Sequence, residues 1–363
     1  MKREGTAAIV TFVVTFALVP SIRHLCQRWQ VFDRPDALKI HAKPIPRLGG
    51  IAIFLGVLAG IFASDARDFT AHWQFPAAIF VIWFTGLIDD LRGLPPASRL
   101  GAQILCAFLL WQGGLHILAA ATAPTQIALI CLFIILFVNS FNFLDGSDGL
   151  AGSVSLAIAV SYLAMPRTAL TPLGFLTALC TAAACVAFLP FNRYPASIFL
   201  GDSGSTLLGF LLACIGLDIA STTAAPRYSI VLALTIAALP LLDALRVVTK
   251  RIARGASPLS GDRHHFYDAL LARGWAPRRV AVVSWTMAAL CGAIAVSIVR
   301  LRASIAWSLA AFMVAAAFLD MATASREKSS AADCDEAGVR SDKRVFVSAG
   351  KGSRSDPQEG EEL

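Results

Sequence analysis

Charged residues are scarce in this sequence: Asp, Glu, Lys and Arg together make up 15% of its 363 residues, against about 25% in soluble domains. Hydrophobic residues make up 56%, and the mean hydropathy is +0.67. This shortage of charge excludes an ordinary soluble domain. Because the apolar residues fall into repeated runs long enough for helices to cross a bilayer, we predict an all-α, polytopic integral membrane protein.

The sequence also lacks the cysteine spacing of metal and redox motifs. It has eight cysteines, which lie mostly inside apolar runs, and no two of them form a C-x-x-C pair. We interpret them as small hydrophobic side chains. A small-residue cleavage site is lacking after the first apolar run as well, so we expect that run to be a retained span.

Apolar runs predict about eleven transmembrane helices. Their predicted bounds are 6–24, 49–64, 75–88, 98–118, 124–140, 149–165, 171–190, 204–219, 228–249, 279–299 and 302–323. The remainder is polar and mixed in charge, which is typical of disorder. We therefore expect a transmembrane domain over residues 1–324 and a disordered cytoplasmic tail over residues 325–363.

Lysine and arginine are concentrated in the loops after odd-numbered segments. The loops around residues 28–47 and 250–279 are strongly basic, whereas loop 111–124 carries no Asp, Glu, Lys or Arg. The positive-inside rule then places the odd loops in the cytoplasm, the amino terminus outside and the carboxyl terminus inside.

Polar clusters follow the same alternation. Each lies on an odd loop or at its edge: Asp33–Gly50, Asp89–Gly93, Asn139–Asp148, Asn192–Ser205 and Arg246–Asp268. Carboxylates and amides at the end of a membrane helix are costly and usually functional. We expect these clusters to form one cytoplasmic site.

Asp89 and Asp90 are adjacent at the end of the third segment. Two such carboxylates repel and can share a proton or a metal ion, or leave one of them as a base. The plainer interpretation is a helix that ends at the interface with Arg92 as its counter-ion.

Asp145 and Asp148 lie three residues apart, so on a helical turn they share a face with Asn142. Gly146 and Gly149 would let a phosphate or a sugar approach the backbone closely. The alternative is a polar turn between two spans.

Asp202 lies between two glycines just before the eighth segment, where a helix amino end favours anions such as a pyrophosphate. It could instead be a simple N-cap. Asp243, inside the ninth segment, is expected to pair with Arg246 in a structural role.

Two basic groups remain, Lys39 with His41 and Arg263 with His265. Imidazole and guanidinium suit phosphate binding, although the positive-inside rule alone explains Lys43. Carboxylates that face phosphates need a divalent cation, for which Mg²⁺ is the default. The residues therefore indicate metal-assisted phosphoryl transfer at the membrane surface.

Several motifs, in this order, carry a family resemblance. They are K-x-H-x-x-P-x-P-R-x-G-G, D-D-x-x-G, N-x-x-N-x-x-D-G-x-D-G-L, F-N-x-x-x-x-x-x-F-x-G-D-x-G-S and a late His-containing loop. Over residues 30–275 the sequence resembles the polyprenyl-phosphate N-acetylhexosamine-1-phosphate transferases. The resemblance implies transfer of a sugar 1-phosphate from a UDP-N-acetylhexosamine to undecaprenyl phosphate in the bacterial inner membrane, with Mg²⁺, or Mn²⁺ as a substitute, and with release of UMP. Such a step initiates lipid-linked cell-envelope glycans, among them O-antigen.

The resemblance also implies roles for individual residues. Asp202 would be the principal Mg²⁺ ligand with Asp148 as a further ligand, and Asp89 and Asp90 would act at the lipid phosphate. The residues implied in substrate binding are Lys39, His41, Asn142, Asp145, Asp148, Arg263 and His265. No nucleic-acid partner is expected, and a homodimer is left open.

The motifs favour the GlcNAc branch of the family over the peptidoglycan branch. The sequence Pro44-Ile-Pro-Arg-Leu-Gly-Gly stands where the peptidoglycan branch has G-T-P-T-M-G-G. In the late loop, however, Tyr267 and Asp268 stand where histidines are usual, which leaves GalNAc and 6-deoxy sugars open.

Other classes fit the sequence less well. A transporter would place its acids near the membrane midplane, with internal repeats, and neither feature is present. A CDP-alcohol phosphatidyltransferase needs a D-G-x-x-A-R run, which the sequence lacks. A membrane scaffold gives no reason for polar clusters on one side.

Overall fold

The computed structural model describes residues 2–33, 43–118, 121–222, 226–257, 264–302 and 304–323. Nearly all of this part is helical. The helices are α1 Lys2–Arg28, α2 Gly49–Ala71, α3 Gln74–Arg92, α4 Pro96–Gln112, α5 Ala123–Leu144, α6 Leu150–Leu163, α7 Pro172–Asn192, α8 Gly201–Thr222, α9 Pro226–Ile236, α10 Ala238–Ala253, α11 Phe266–Ala272, α12 Pro277–Arg300 and α13 Trp307–Thr323. Two short strands, β1 Phe32–Asp33 and β2 Ile45–Pro46, pair antiparallel.

The predicted class, an all-α polytopic membrane protein, is confirmed, and every predicted apolar segment coincides with helical structure. Within the described residues, 6 helices are long and apolar enough to cross a membrane, or 7 if the bent pair α9–α10 is one span. The remaining apolar segments are shorter. Helix α6, with 14 residues, rises only about 21 Å, so it needs a thinner bilayer or a polar flank to cross.

Helix α8 is the centre of the bundle, and 94% of its 18-residue apolar stretch is buried inside the protein. It packs against α2, α3, α5 and α7. Glycine allows these close approaches, since a Cβ on Gly209 would lie 2.8 Å from the carbonyl oxygen of Phe137 on α5. Lipid supplies no hydrophobic force between helices, so such backbone contact is a main source of their association.

The predicted ninth segment, 228–249, is not one straight helix. It divides into α9 and α10, which meet at an angle of 82°. Pro240 is the physical reason, because it has no N–H to donate to the carbonyl of Ile236 and its ring would clash there. The bend turns α10 and its Asp243 into a new direction.

The loops that precede α2 and α8 are joined by backbone hydrogen bonds. Gly49 N donates to the carbonyl of Phe199 at 3.0 Å, and Gly50 N donates to that of Leu200 at 2.9 Å. Helix α3 ends and α8 begins at this same end of the bundle, which we call the site end.

Candidate active site

Asp202 and Asn142 meet at the site end although 60 residues separate them in sequence. Gly201, with φ of 71°, turns the chain into α8, and Asp202 follows in the first turn. Its Oδ1 accepts a hydrogen bond from Nδ2 of Asn142 at 2.5 Å, and the same amide lies 3.2 Å from the hydroxyl of Ser205. The predicted residues of α5 and α8 thus form one polar centre.

Asp90 joins the end of α3 to the start of α8. Its Oδ1 accepts the backbone N–H of Asp202 at 2.8 Å, and its Oδ2 accepts that of Ser203 at 3.0 Å. A carboxylate at a helix amino end satisfies donors that the helix itself leaves open. Arg47 also donates to the backbone carbonyl of Asp90. The side chain of Asp90 therefore holds Asp202 in position.

Asp89 points away from its neighbour. Its Oδ1 accepts the N–H of Leu94 at 2.6 Å, and its Oδ2 lies 3.2 Å from Nη1 of Arg99 on α4. The two adjacent carboxylates thus have different partners, and the counter-ion of Asp89 is Arg99, where the plainer interpretation expected Arg92. Arg99 was not among the predicted site residues, although its position shortly after the Pro95–Pro96 turn could have suggested the contact.

A small cavity opens beside this ion pair, between α3, α4, α5 and α8. Asp89, Arg99 and Asn142 line it together with Gln103 and Asn139. Nδ2 of Asn139 donates to Oε1 of Gln103 at 3.2 Å. The cavity therefore combines the guanidinium group of Arg99 with several side-chain amides, next to the polar centre around Asp202.

Asp145 caps the carboxyl end of α5 and is surrounded by like charge. Burial raises the pKa of its carboxyl well above the usual range, and Asp202, Asp90, Asp33 and Asp148 raise it further. Among the described residues, no hydrogen-bond donor to this carboxylate is present. Such a group is stabilised by a proton or by a cation.

Asp148 has a structural contact. Its Oδ2 accepts the N–H of Ala196 at 2.8 Å, so the turn after α5 is tied to the segment before α8. Gly149 has φ of 70° at the start of α6, a conformation that favours glycine. The predicted ligand role of Asp148 stays a prediction.

The late loop contacts the end of α5. The hydroxyl of Tyr267 donates a hydrogen bond to the carbonyl of Phe143 at 3.0 Å, and the ring of His265 contacts the rings of both Phe143 and Tyr267. His265 therefore lies against Phe143, which precedes Asp145 by two residues at the end of α5.

Asp243 does not fit the expectation of a pair with Arg246. Its Oδ2 lies 2.8 Å from Nδ1 of His265, whereas Arg246 lies 3.6 Å from Asp320 on α13. Both residues lie on α10, but Asp243 faces the late loop whereas Arg246 faces α13, and their spacing along one helix does not specify those different neighbours.

Lys39, His41 and Arg263 lie outside the described residues, so their predicted roles stay predictions. The neighbouring His264 is described, and its Nε2 lies 2.9 Å from Nη1 of Arg254.

The residues of the site fit a hard divalent cation, although the described residues do not form a complete ligand cage on their own. In the part of the chain that the structure describes, no three His, Cys, Asp or Glu residues form a group that could hold a metal ion. Mg²⁺ usually takes only one or two carboxylates and adds water and substrate phosphates. The mutually repelling carboxylates of Asp145 and Asp202 meet that requirement.

Fold and site together define a multi-pass membrane protein with a carboxylate centre at one end of its helices. Comparison with known proteins makes the class specific. Residues 72–220 match the family described as glycosyl transferase family 4.

Several relatives match most of the chain. The decaprenyl-phosphate N-acetylglucosaminephosphotransferase of Mycobacterium tuberculosis strain H37Rv is 32% identical over 321 residues, 77% of either chain. The undecaprenyl-phosphate alpha-N-acetylglucosaminyl 1-phosphate transferase of Yersinia pestis is 30% identical over 332 residues, 86% of this chain and 89% of the relative. Its Escherichia coli K12 counterpart is 28% identical over 313 residues, 80% and 83%.

The chain belongs to glycosyl transferase family 4, among the polyprenyl-phosphate N-acetylhexosamine-1-phosphate transferases that its motifs resemble. Enzymes of this family generally depend on a divalent metal ion.

Proposed function

We propose that this protein transfers N-acetylglucosamine-1-phosphate from UDP-GlcNAc to undecaprenyl phosphate and releases UMP. The observation that carries the proposal is the contact between Asn142 and Asp202 at 2.5 Å, with the carboxylates of α3 and α5 around it. The names of the relatives support it, since each specifies an N-acetylglucosamine phosphate group and a polyprenyl phosphate. The product would initiate a lipid-linked cell-envelope glycan such as O-antigen.

The metal we propose is Mg²⁺, with Mn²⁺ as a substitute. Asp202 is its principal ligand. Asp145 is better suited than Asp148 as the second carboxylate, because its oxygens have no donor among the described residues, whereas Asp148 already accepts from Ala196. When bound, the cation neutralises the charge that builds up on the phosphates of the donor.

The acceptor phosphate enters beside Asp89 and Arg99. The guanidinium of Arg99 binds and orients the lipid phosphate through charge-assisted hydrogen bonds. Asp89 takes the acceptor's proton, because it lines this cavity beside Arg99, whereas the side chain of Asp90 faces the backbone N–H groups of α8. A single displacement follows: an oxygen of the lipid phosphate forms a bond to the sugar-linked phosphorus, and the bond from that phosphorus to UMP breaks.

The donor lies on the other side of Asp202. Asn142, Asp145 and Asp148 are its proposed contacts, and the glycine at position 146 leaves room for the hydroxyl of Tyr267, which would lie 2.1 Å from an added Cβ. The basic residues of the two odd loops contact its diphosphate and sugar, namely Lys39, His41, Arg263 and His265.

We place this site on the cytoplasmic side of the bacterial inner membrane, with the amino terminus outside and the carboxyl terminus inside. The lysines and arginines of the odd loops support this orientation. The donor, a nucleotide sugar, is available on that side.

The experiment offers purified protein and undecaprenyl phosphate a panel of UDP-GlcNAc, UDP-GalNAc and UDP-linked 6-deoxy-N-acetylhexosamines and measures UMP release. We expect the highest kcat/KM with UDP-GlcNAc. A clear preference for another sugar overturns the assigned donor, and the absence of UMP release with every donor overturns the proposed reaction.

A further inference from the structure

A buried acid lies behind His265. Asp243 on α10 is 2% exposed, and both of its carboxylate oxygens are engaged. Oδ2 lies 2.8 Å from Nδ1 of His265, and Oδ1 accepts the backbone N–H of Phe266 at 3.1 Å. A carboxylate this deeply buried is stabilised only by donors of this kind.

The ring of His265 is also fixed by its neighbours. Its centroid lies 5.3 Å from that of Tyr267, with the rings 5° from parallel, and 5.5 Å from that of Phe143. The hydroxyl of Tyr267 donates to the backbone carbonyl of Phe143 at 3.0 Å, which ties together the two residues whose rings contact the imidazole. Plane, position and one nitrogen of the ring are therefore set by the protein.

We propose that Asp243 is a positioning residue for the nucleotide donor and acts through His265. Accepting a hydrogen bond from Nδ1 keeps a proton on that nitrogen, and in this proposal Nε2 is the ring atom that binds the diphosphate of the donor. An imidazole between a carboxylate and a phosphate carries a proton on each nitrogen, and the buried carboxylate stabilises that charge. The proposal rests on the proposed function, which supplies the diphosphate.

A purely structural role would be different. Asp243 would then only accept the N–H of Phe266, at the start of α11, and its loss would loosen the late loop whatever residue stood at position 265. The contact with His265 predicts instead that the two side chains act as one unit in donor binding.

Asp243→Asn separates the two roles. The amide keeps the size of the side chain, and its oxygen still accepts the N–H of Phe266. Its NH₂ group, however, faces Nδ1 as a donor and no longer accepts the proton of the ring. His265→Gln removes the imidazole, and Asp320→Asn on α13, where the carboxylate is 77% exposed, is the matched control.

Binding of UDP to full-length protein in detergent, by titration calorimetry, is the measurement. We expect Asp243→Asn and His265→Gln each to weaken UDP binding about tenfold, which is what losing a charge-assisted hydrogen bond costs. The double variant should bind no more weakly than His265→Gln alone, because the residues are coupled. Asp320→Asn should bind like the wild type.

Three results would overturn the proposal: wild-type affinity in Asp243→Asn, losses that multiply to about a hundredfold in the double variant, or no UDP binding by the wild type. If Asp243→Asn does not fold, Asp243→Glu replaces it in the same cycle, and an equal loss with and without His265 refutes the coupling.

The titration needs no acceptor or turnover. Coupled UDP binding without UMP release would refute only the proposed function, and turnover with independent losses would refute only this inference.

Discussion

At the scale of single residues, the acids of the site have separate tasks because they have separate partners. Asp90 accepts two backbone N–H groups of α8, and Asp89 faces Arg99. Asp145 is surrounded by other carboxylates. The last arrangement disfavours the folded state on its own, which agrees with the proposed role of Asp145 as a cation ligand, since function is often traded against stability.

Asp145→Asn should therefore make the protein more stable while it abolishes transfer. The raised pKa means that the folded state keeps its proton after the unfolded chain has lost its own, at about pH 4. The free energy of unfolding thus falls as the pH rises from there towards the folded pKa. At pH 8, without divalent ions, we expect the variant to unfold roughly 2–4 °C above the wild type, with the gap closing near pH 4.

Thermal unfolding followed by tryptophan fluorescence checks this, with Asp320→Asn as an exposed acid that should change little. A wild type that is more stable than Asp145→Asn at pH 8 would show that the neighbouring carboxylates do not strain the fold.

At the scale of elements, the site depends on how closely the helices approach one another. A Cβ on Gly86 of α3 would lie 2.7 Å from the carbonyl oxygen of Asp202 and 2.7 Å from Cα of Ser203. Both neighbours are backbone and belong to the first turn of α8. The position of Asp202 is therefore set by a contact that only glycine at position 86 permits.

Gly86→Ala should displace the start of α8 and lower kcat for UMP release by at least about tenfold, since small misplacements at a reacting centre have such effects. Gly101→Ala on α4 is the matched control, because nothing lies within 4 Å of its added Cβ. Equal activity of the two variants would mean that the contact between α3 and α8 does not position Asp202.

Much of this architecture could be predicted, because the length of apolar runs indicates spans and the Lys and Arg distribution assigns alternate loops to one end. The contact of Asn142 with Asp202 agrees with that prediction. The break between α9 and α10 at Ala237 was missed, because the number of consecutive apolar residues does not reveal the effect of a single proline, Pro240. The partners of Asp90 and Asp243, 112 and 22 residues away, depend on helix packing that local patterns do not specify.

At the scale of the whole molecule, every residue assigned to the reaction lies between positions 39 and 265 of the sequence, and the polar tail contains none. Removing residues 326–363 should leave UMP release within about twofold of the full chain, because a segment of this composition buries little apolar surface. The measurement is kcat/KM of the truncated protein in the same detergent. An inactive but folded truncation would show that the tail takes part in the reaction.

The central claim is that the acids of α3, α5 and α8 form one transfer centre with Asp202 in its middle. Its most direct test is the rate of UMP release by Asp202→Asn, purified beside the wild type and given UDP-GlcNAc, undecaprenyl phosphate and Mg²⁺. We predict turnover by the wild type and a loss of at least about a thousandfold in the folded variant. UMP release by Asp202→Asn at the wild-type rate would contradict the account.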